Sequence, residues 1–572
     1  MYTNLYGRRI SMLVGNSATK EEQVRSEVKA LFSKYQSIEN PTIKEYISSI
    51  PDTLTEALNI LLSSWFNGNY SSTDYTLANR KRLGQYIKQF HTQANTLNPR
   101  VTDSLGLLDN PFSKILVSIH QPNLFAYGGV YKKIILLETL RDIAESKNSN
   151  VKLINLFLIV DHDFLDDMWI RTAQLPSVRH KGGILEIRTP VSNSKRWQMV
   201  CNTAPPPKNI LDSWKKQVKL WIKNASTTSN FDKIFLLRNL DDLWDEVEDA
   251  FARSKSYADF NAFFQTKVVN NLWGYKTLFV RLSDISPVFD KGFEFLLSNY
   301  DKYSNAVEKA ESYFVQRKIS TGVSSTAYLN APVWIHCRCG SKASAKVRKV
   351  DPGIILRGKC KSCKSYLQIG FENVQTLKIS EEVAQRFSPR AIPILLLLSR
   401  ELGIGCYTSG TGGSVGYTIV GSLIFKELSI KMPLTLVWPS DDKYIGVGQS
   451  EALECVQLKH KAEVVDYLQK VRTEYSIRSK EIKPLLVKRN RLVEEGKSIE
   501  AILPQIFLLK EQQRKIRSMI KIAEKVKNSL QIKPCFLDYG INFGMRNVES
   551  QWRQSLIKND NLMLPSILNS KD

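Results

Sequence analysis

Short apolar runs that end in polar residues, each followed by a stretch of helical patterning, constrain this chain more than any other feature. KILVSIH (114–120), KLINLFLIVDH (152–162), GILEIRTPV (183–191), KIFLLRNL (233–240) and KTLFVRLSD (276–284) recur in this way. Unbroken apolar runs fit strands buried on both faces, and an intervening helix is the connection that parallel neighbours need. The pattern predicts an α/β fold with a parallel sheet wrapped by helices. A second α/β portion is expected at about 385–448, from PILLLLSRELGI, CYTSGTGGSVGYTIVGSLIFKEL and MPLTLVWP.

At 572 residues the chain is too long for a single core. Residues 1–108 are expected as a helical N-terminal region, 109–330 and 373–450 as the two parts of the core, and 331–372 as a ribbon. Residues 451–530 are expected as a coiled-coil hairpin and 531–572 as a helical tail. The hairpin rests on two seams at four-three spacing, Val464, Leu468, Val471, Tyr475 and Ile482, then Ile502, Ile506, Leu509, Ile516 and Ile520. EEGKS separates them, and Pro484 and Pro504 are expected to kink or delimit the helices. Self-association as a homodimer through this hairpin is the matching expectation.

Composition narrows the partners. With 43% hydrophobic and 24% charged residues the chain is neither disordered nor fibrous. No apolar stretch near the start suits a signal peptide, and AIPILLLLSR (391–400) is too short to span a bilayer. A cytoplasmic protein with no membrane partner and mostly reduced cysteines is expected. The net charge of +24 suits polyanions such as nucleic acid or nucleotides, and equally a basic solvated surface.

Cys337 and Cys339 in HCRCG, with Cys360 and Cys363 in CKSCK, form two close-spaced thiol turns of the kind that hold zinc tetrahedrally. Four thiolates fill such a site, so the expected zinc is structural, and His336 offers an alternative ligand. The ribbon is expected to be a unit separable from the strand ends. Cys201, Cys406, Cys455 and Cys535 are scattered and expected to be structural. The loop SKASAKVRKVDPGIILRGKCKSCK (341–364) is basic, which fits a phosphate backbone or a solvated face.

Three stretches carry candidate chemistry. SIHQPNLFAYGGVYKK (118–133) leaves an apolar run through His120, Gln121 and Asn123 and then turns over two glycines, the arrangement that places ligands at strand ends in α/β sheets. IVDHDF brings Asp161, His162 and Asp163 to a second strand end, where a carboxylate beside His162 would orient it for proton transfer. TSGTGGSVGY offers Gly410, Thr411, Gly412 and Gly413 before a helical stretch containing Tyr417, a cradle for phosphate or carboxylate. No Lys-Ser/Thr follows its last glycine, so it is not a Walker A loop. The three are expected to converge on one pocket.

Together, and in this order, HQPNLFAYGGVYK, VDHDF, GCYTSGTGGSVGY, KMPLTLVWP and FLDYGINFGMRNVESQW resemble the bacillithiol biosynthesis cysteine-adding enzymes, the BshC-like family, over most of residues 110–555. The resemblance implies a divergent member with a zinc-ribbon insertion and a Rossmann-like, nucleotidyltransferase-like core. It implies a carbon–nitrogen ligase joining an amino-acid carboxyl, cysteine or similar, to an amine acceptor such as an amino-sugar conjugate. Gln121, Pro122, Leu124, Phe125, Asp161, His162, Asp163, Phe164, Gly410, Gly412 and Tyr417 match the family's motifs. His120 stands where that family has Gln, Val160 where it has Glu, and the glycine loop is longer and lacks its Glu. Activation of a carboxyl for amide formation calls for ATP or another nucleotide. The implied roles are His162 with Asp161 or Asp163 in proton transfer, and His120 with the glycine loop on phosphates. Two other readings stay open: an RNA-binding or tRNA-modifying protein using the basic ribbon, and a non-catalytic assembly protein.

Overall fold

The computed structural model describes residues 39–66, 72–321, 323, 327–410 and 413–569. Residues 1–38 and 67–71 of the expected helical N-terminal region therefore lie outside the described residues.

Five parallel strands form the central sheet: β1 (Lys114–His120), β2 (Leu153–Ile159), β3 (Leu278–Arg281), β4 (Ile404–Ser409) and β5 (Leu434–Val437). Their order is β5-β4-β1-β2-β3, with Lys114 opposite Leu153 and His120 opposite Ile159 between β1 and β2. Alternate residues serve two cores. Leu116, Phe157, Phe279 and Cys406 face one, while Val117, Leu156, Leu158 and Val280 face the other. All seven residues of β2 are buried, which is why its sequence lacks polar alternation.

The helices are divided between the faces. Gly128–Lys147 connects β1 to β2 and packs on the first face with the C-terminal helices Phe536–Phe543 and Met545–Asn559. Ala391–Leu402 and Gly413–Glu427 flank β4 and pack on the second. The chain thus winds outward from β1 over one face and from β4 over the other. A crevice opens between the C-terminal ends of those two strands.

Two of the expected strands belong elsewhere. KIFLLRNL is the start of a helix, Lys233–Arg253, capped by Asp232. Leu236, Leu240, Leu243, Trp244 and Val247 are its buried stripe, a helical period that an eight-residue window does not display. GILEIRTPV supplies Ile184–Arg188, which pairs antiparallel with Thr172–Pro176 outside the central sheet. The ribbon also reaches beyond residue 372, because Phe387–Pro389 pairs with Val333–His336.

Residues 463–531 form two long helices, Glu463–Glu494 and Leu503–Gln531. Arg472 pairs with Glu524 at 2.8 Å, and Gln513 donates to Ser479 at 3.0 Å, so the helices run antiparallel. Val464, Leu468, Val471 and Ile482 of the first helix and Ile506, Leu509 and Ile516 of the second are buried, and Val464 packs with Val526 at the root of the pair. Pro504 lies in the first turn of the second helix, whereas Pro484 is inside the first and does not end it. At the root, Gly183 has φ +82° and a Cβ there would stand 2.1 Å from the Lys525 carbonyl oxygen, so only glycine permits this approach. Among the described residues no helix is long and apolar enough to cross a membrane.

The described N-terminal helices pack onto the sheet. Arg80, 0% exposed, donates from Nε to the Leu402 carbonyl at 3.0 Å and from Nη1 to the Ser113 carbonyl at 3.1 Å, pinning the starts of β4 and β1. Replacing Arg80 with Ala strands those buried carbonyls and leaves a cavity, so stability should fall by roughly 3 kcal/mol. Chemical denaturation of the two proteins checks this.

Candidate functional site

A cavity of about 440 Å³ occupies the crevice, within the usual size range of small-molecule sites. Its lining comes from each strand end named above: His120 at the end of β1 and Gln121 after it, His162 and Asp163 after β2, Leu282 after β3, Gly410 after β4, and Trp438 and Ser440 after β5. The helix Gly128–Lys147 contributes Gly129 and Lys133, Ala391–Leu402 contributes its first residues, and Gly413–Glu427 contributes Tyr417 and Thr418. The sheet thus brings the three motifs together. Gly129 permits this closeness, since a Cβ there would lie 2.5 Å from Cβ of Ser440.

Four cations line the cavity, Lys133, Lys342, Arg390 and Lys533, against one carboxylate, Asp163, among the described residues. Lys133 is 6% exposed, and burial holds its ammonium down at about 8. Its neighbour Lys132 is satisfied by Asp442 at 2.8 Å, but no carboxylate of the described residues pairs with Lys133. Lys342 lies 3.7 Å from Asp163, and burial lowers its pKa although Asp163 opposes the shift. Lys342 and Arg390 both cover the Trp334 ring, at 4.7 and 4.4 Å from its centroid.

The polar groups are wired differently from expectation. Neither carboxylate orients His162. Asp161, 0% exposed, accepts from the backbone N–H of Ser283 at 2.9 Å and from the Ser283 hydroxyl. Burial lifts it to about 7. Asp163 accepts from Gln121 Nε2 at 2.5 Å. His162 instead packs on His336, with ring centroids 4.5 Å apart, and its Nδ1 has no hydrogen-bond partner among the described residues. Burial, then His336 and Lys342, push its pKa well below the ordinary value, so the ring is neutral. His120 is tied to Tyr127 Oη at 3.2 Å and to the Gln121 carbonyl at 3.0 Å; burial and Lys133 bring it down to about 3.

Asn123 does not line the cavity; it borders a small separate cleft with Met168 and Trp169. Thr411 and Gly412 lie outside the described residues, and Gly413 opens the helix Gly413–Glu427. Lys133, Lys342, Arg390 and Trp334 were not anticipated. For Lys133 a signal existed: it lies in the first two turns after a Gly-Gly turn, so a helix starting at the strand exit carries it to the same crevice.

No protein-family model matches the chain, and no curated protein matches it either.

The four cysteines cluster. Sγ of Cys337 is 3.5 Å from Cys363 and Sγ of Cys339 is 3.5 Å from Cys360, with all four sulfurs within 4.8 Å of one another. A tetrahedron with Zn–S bonds of about 2.3 Å has sulfur edges of about 3.8 Å, so the group is close enough to bind a metal and is compatible with zinc. Gly340 and Lys364, each just after the second cysteine of its turn, share positive φ of +85° and +64°. The knuckles are therefore built alike.

This segment is not separable from the cavity. The Met199 N–H donates to the Gly340 carbonyl at 3.0 Å, and Lys361 covers the rings of Trp197 and Phe164 at 4.7 and 5.2 Å. Val333–His336 and Lys342–Ser344 then present Trp334 and Lys342 to the cavity. Purified protein should carry about one zinc per chain. Cys360→Ser should release it, increase proteolysis across 333–389 and also weaken ligand binding in the cavity; metal analysis, limited proteolysis and thermal shift check the three effects.

Proposed function

We propose that the chain is an enzyme that holds an anionic small molecule in the strand-end cavity, a carbon–nitrogen ligase of the cysteine-adding type. The observation that carries the anion is Lys133, buried, unpaired by any described carboxylate and lining a crevice at the ends of β1 and β4. Leaving a buried ammonium without a counter-ion costs stability, and a ligand oxyanion removes that cost. The ligase reading is supported by the order of motifs, HQPNLF, VDHDF and SGTGG, whose strand-end residues border the same cavity.

In this reading Lys133 and the first turn of Gly128–Lys147 hold a phosphate or carboxylate. Lys342 and Arg390 neutralise a second anionic group. Condensing a carboxylate with an amine is uphill in water, so ATP or another nucleotide would activate the carboxyl, in a nucleotidyltransferase-like core. Asp163, held by Gln121, takes the acceptor amine or its proton, a role for which neutral His162, with its strongly lowered pKa, is poorly suited. The long helical pair would act as a coiled coil that joins two copies. Light scattering should show a smaller assembly when 477–515 is replaced by a short turn.

Lys133→Met keeps the volume and removes the charge. Thermal shift with ATP, inorganic phosphate and free amino acids should show stabilisation of the native protein, which the variant loses. Without ligand the variant should be the more stable at pH 7, by roughly 1–3 kcal/mol. The pH dependence follows in sign. Lys133 titrates at about 8 when folded against 10.5 unfolded, so the unliganded protein binds fewer protons than the unfolded chain in that window and gains stability as pH rises through it. An anion that keeps Lys133 charged should therefore bind best below pH 8 and weaken above it. Equal shifts in native and variant proteins would refute the anion site.

A further inference from the structure

The cysteine-bearing segment has a second face that the cavity does not use. Lys346–Val350, Gly353–Lys359 and Tyr366–Phe371 form a three-stranded antiparallel sheet. Directly opposed residues of an antiparallel sheet share a face. Ile369 is opposite Leu356, which is opposite Val347, and these turn inward onto the core. The other register row places Tyr366 beside Lys359, then Gln368 beside Arg357 and Lys346, then Arg348 beside Ile355.

That outer face is charged and open. Tyr366 is 82% exposed, with the Lys359 ammonium 5.4 Å from its ring centroid. Arg357 donates to Gln368 at 2.8 Å, which spreads both side chains over the sheet. Among the described residues none of Lys346, Arg348, Arg357 and Lys359 is paired with a carboxylate. Lys349, of opposite orientation on the same strand, is neutralised by Asp301 at 2.7 Å. The unneutralised charge is thus concentrated on one face, around a single exposed aromatic ring.

We propose that this face binds single-stranded nucleic acid, with Tyr366 stacking on a base and Lys346, Arg348, Arg357 and Lys359 holding successive phosphates. Lysines on edge strands alone would be explained by protection against sheet extension. That explanation does not account for Arg357 and Lys359 on the central strand, nor for a tyrosine left in water beside them. An aromatic ring among cations on a sheet is what an unpaired base and its backbone require, since each base has a stacking face and each phosphate a charge. An acidic polypeptide would meet the charge and leave the ring unused. The inference is independent of the ligase reading, because no residue of this face lines the cavity.

Fluorescence anisotropy on the full chain tests it, with labelled RNA and DNA single strands of about 12 nucleotides, the matching duplex, and polyglutamate as competitor. Either single strand should bind better than the duplex, with an affinity that falls with salt by about 0.7 log units per log unit for each phosphate neutralised. Tyr366→Ala should weaken binding about tenfold, and Tyr366→Trp should preserve it. Lys346→Gln together with Arg348→Gln should flatten the salt slope by about 1.4. These side chains are exposed, so unchanged melting temperatures will separate lost binding from lost folding. Absence of binding at low salt, wild-type affinity in Tyr366→Ala, equal affinity for duplex, or equal competition by polyglutamate would each overturn the proposal.

Discussion

The reversal of winding between β1 and β4 is the constraint on which the candidate site depends. A parallel strand must be followed by a crossover, and every crossover here covers one face or the other. Where neighbouring strands send their chains to opposite faces, no connection can close the space above their ends. His120 and Gly410 stand at that gap, and the first turns of Gly128–Lys147 and Gly413–Glu427 open beside it. In the first of those turns Gly128 donates to the Pro534 carbonyl at 3.3 Å and Val130 to the Tyr127 carbonyl at 3.0 Å, so the topology supplies a volume, and the helix dipoles add a bias towards negative charge.

The side chains amplify that bias. Burial around Lys133 would ordinarily be answered by a carboxylate, as Asp442 answers Lys132 one residue earlier. Of these adjacent lysines on one helix, Lys132 is in a structural ion pair, whereas Lys133 lines the cavity without a carboxylate partner among the described residues. The cysteine knuckle extends the same wall, since the strands that it fastens carry Trp334 and Lys342 to the cavity. A metal there would hold together a small sheet with little core of its own and thereby fix the position of a cation in the site.

Much of this was legible in the residues themselves. KILVSIH, KLINLFLIV and KTLFVRLSD are short, apolar and end in polar groups, and they became three neighbouring strands because burial on both faces leaves such a pattern no other place. The seams at Val464, Leu468 and Val471 and at Ile506, Leu509 and Ile516 gave the helical pair, since period carries over to buried face directly. KIFLLRNL misled because its apolar cluster is denser than the stripe of the longer helix to which it belongs. The hydrogen-bond partners of Asp161 and Asp163 were hidden for a different reason. Adjacency in VDHDF suggests that the carboxylates serve His162, yet successive residues at a strand end point in different directions, and Ser283 and Gln121 come from distant segments. Lys342 and Arg390 reach the cavity only through the docking of the ribbon, a tertiary event that no local pattern announces.

Anomalous diffraction from crystals soaked in tungstate tests the central claim most directly, because it locates an oxyanion without presuming the reaction. The account predicts a peak within hydrogen-bonding distance of Lys133 Nζ, at the first turn of Gly128–Lys147. Tungstate found only at exposed lysines, with the strand-end cavity empty of anion at saturating concentration, would contradict it.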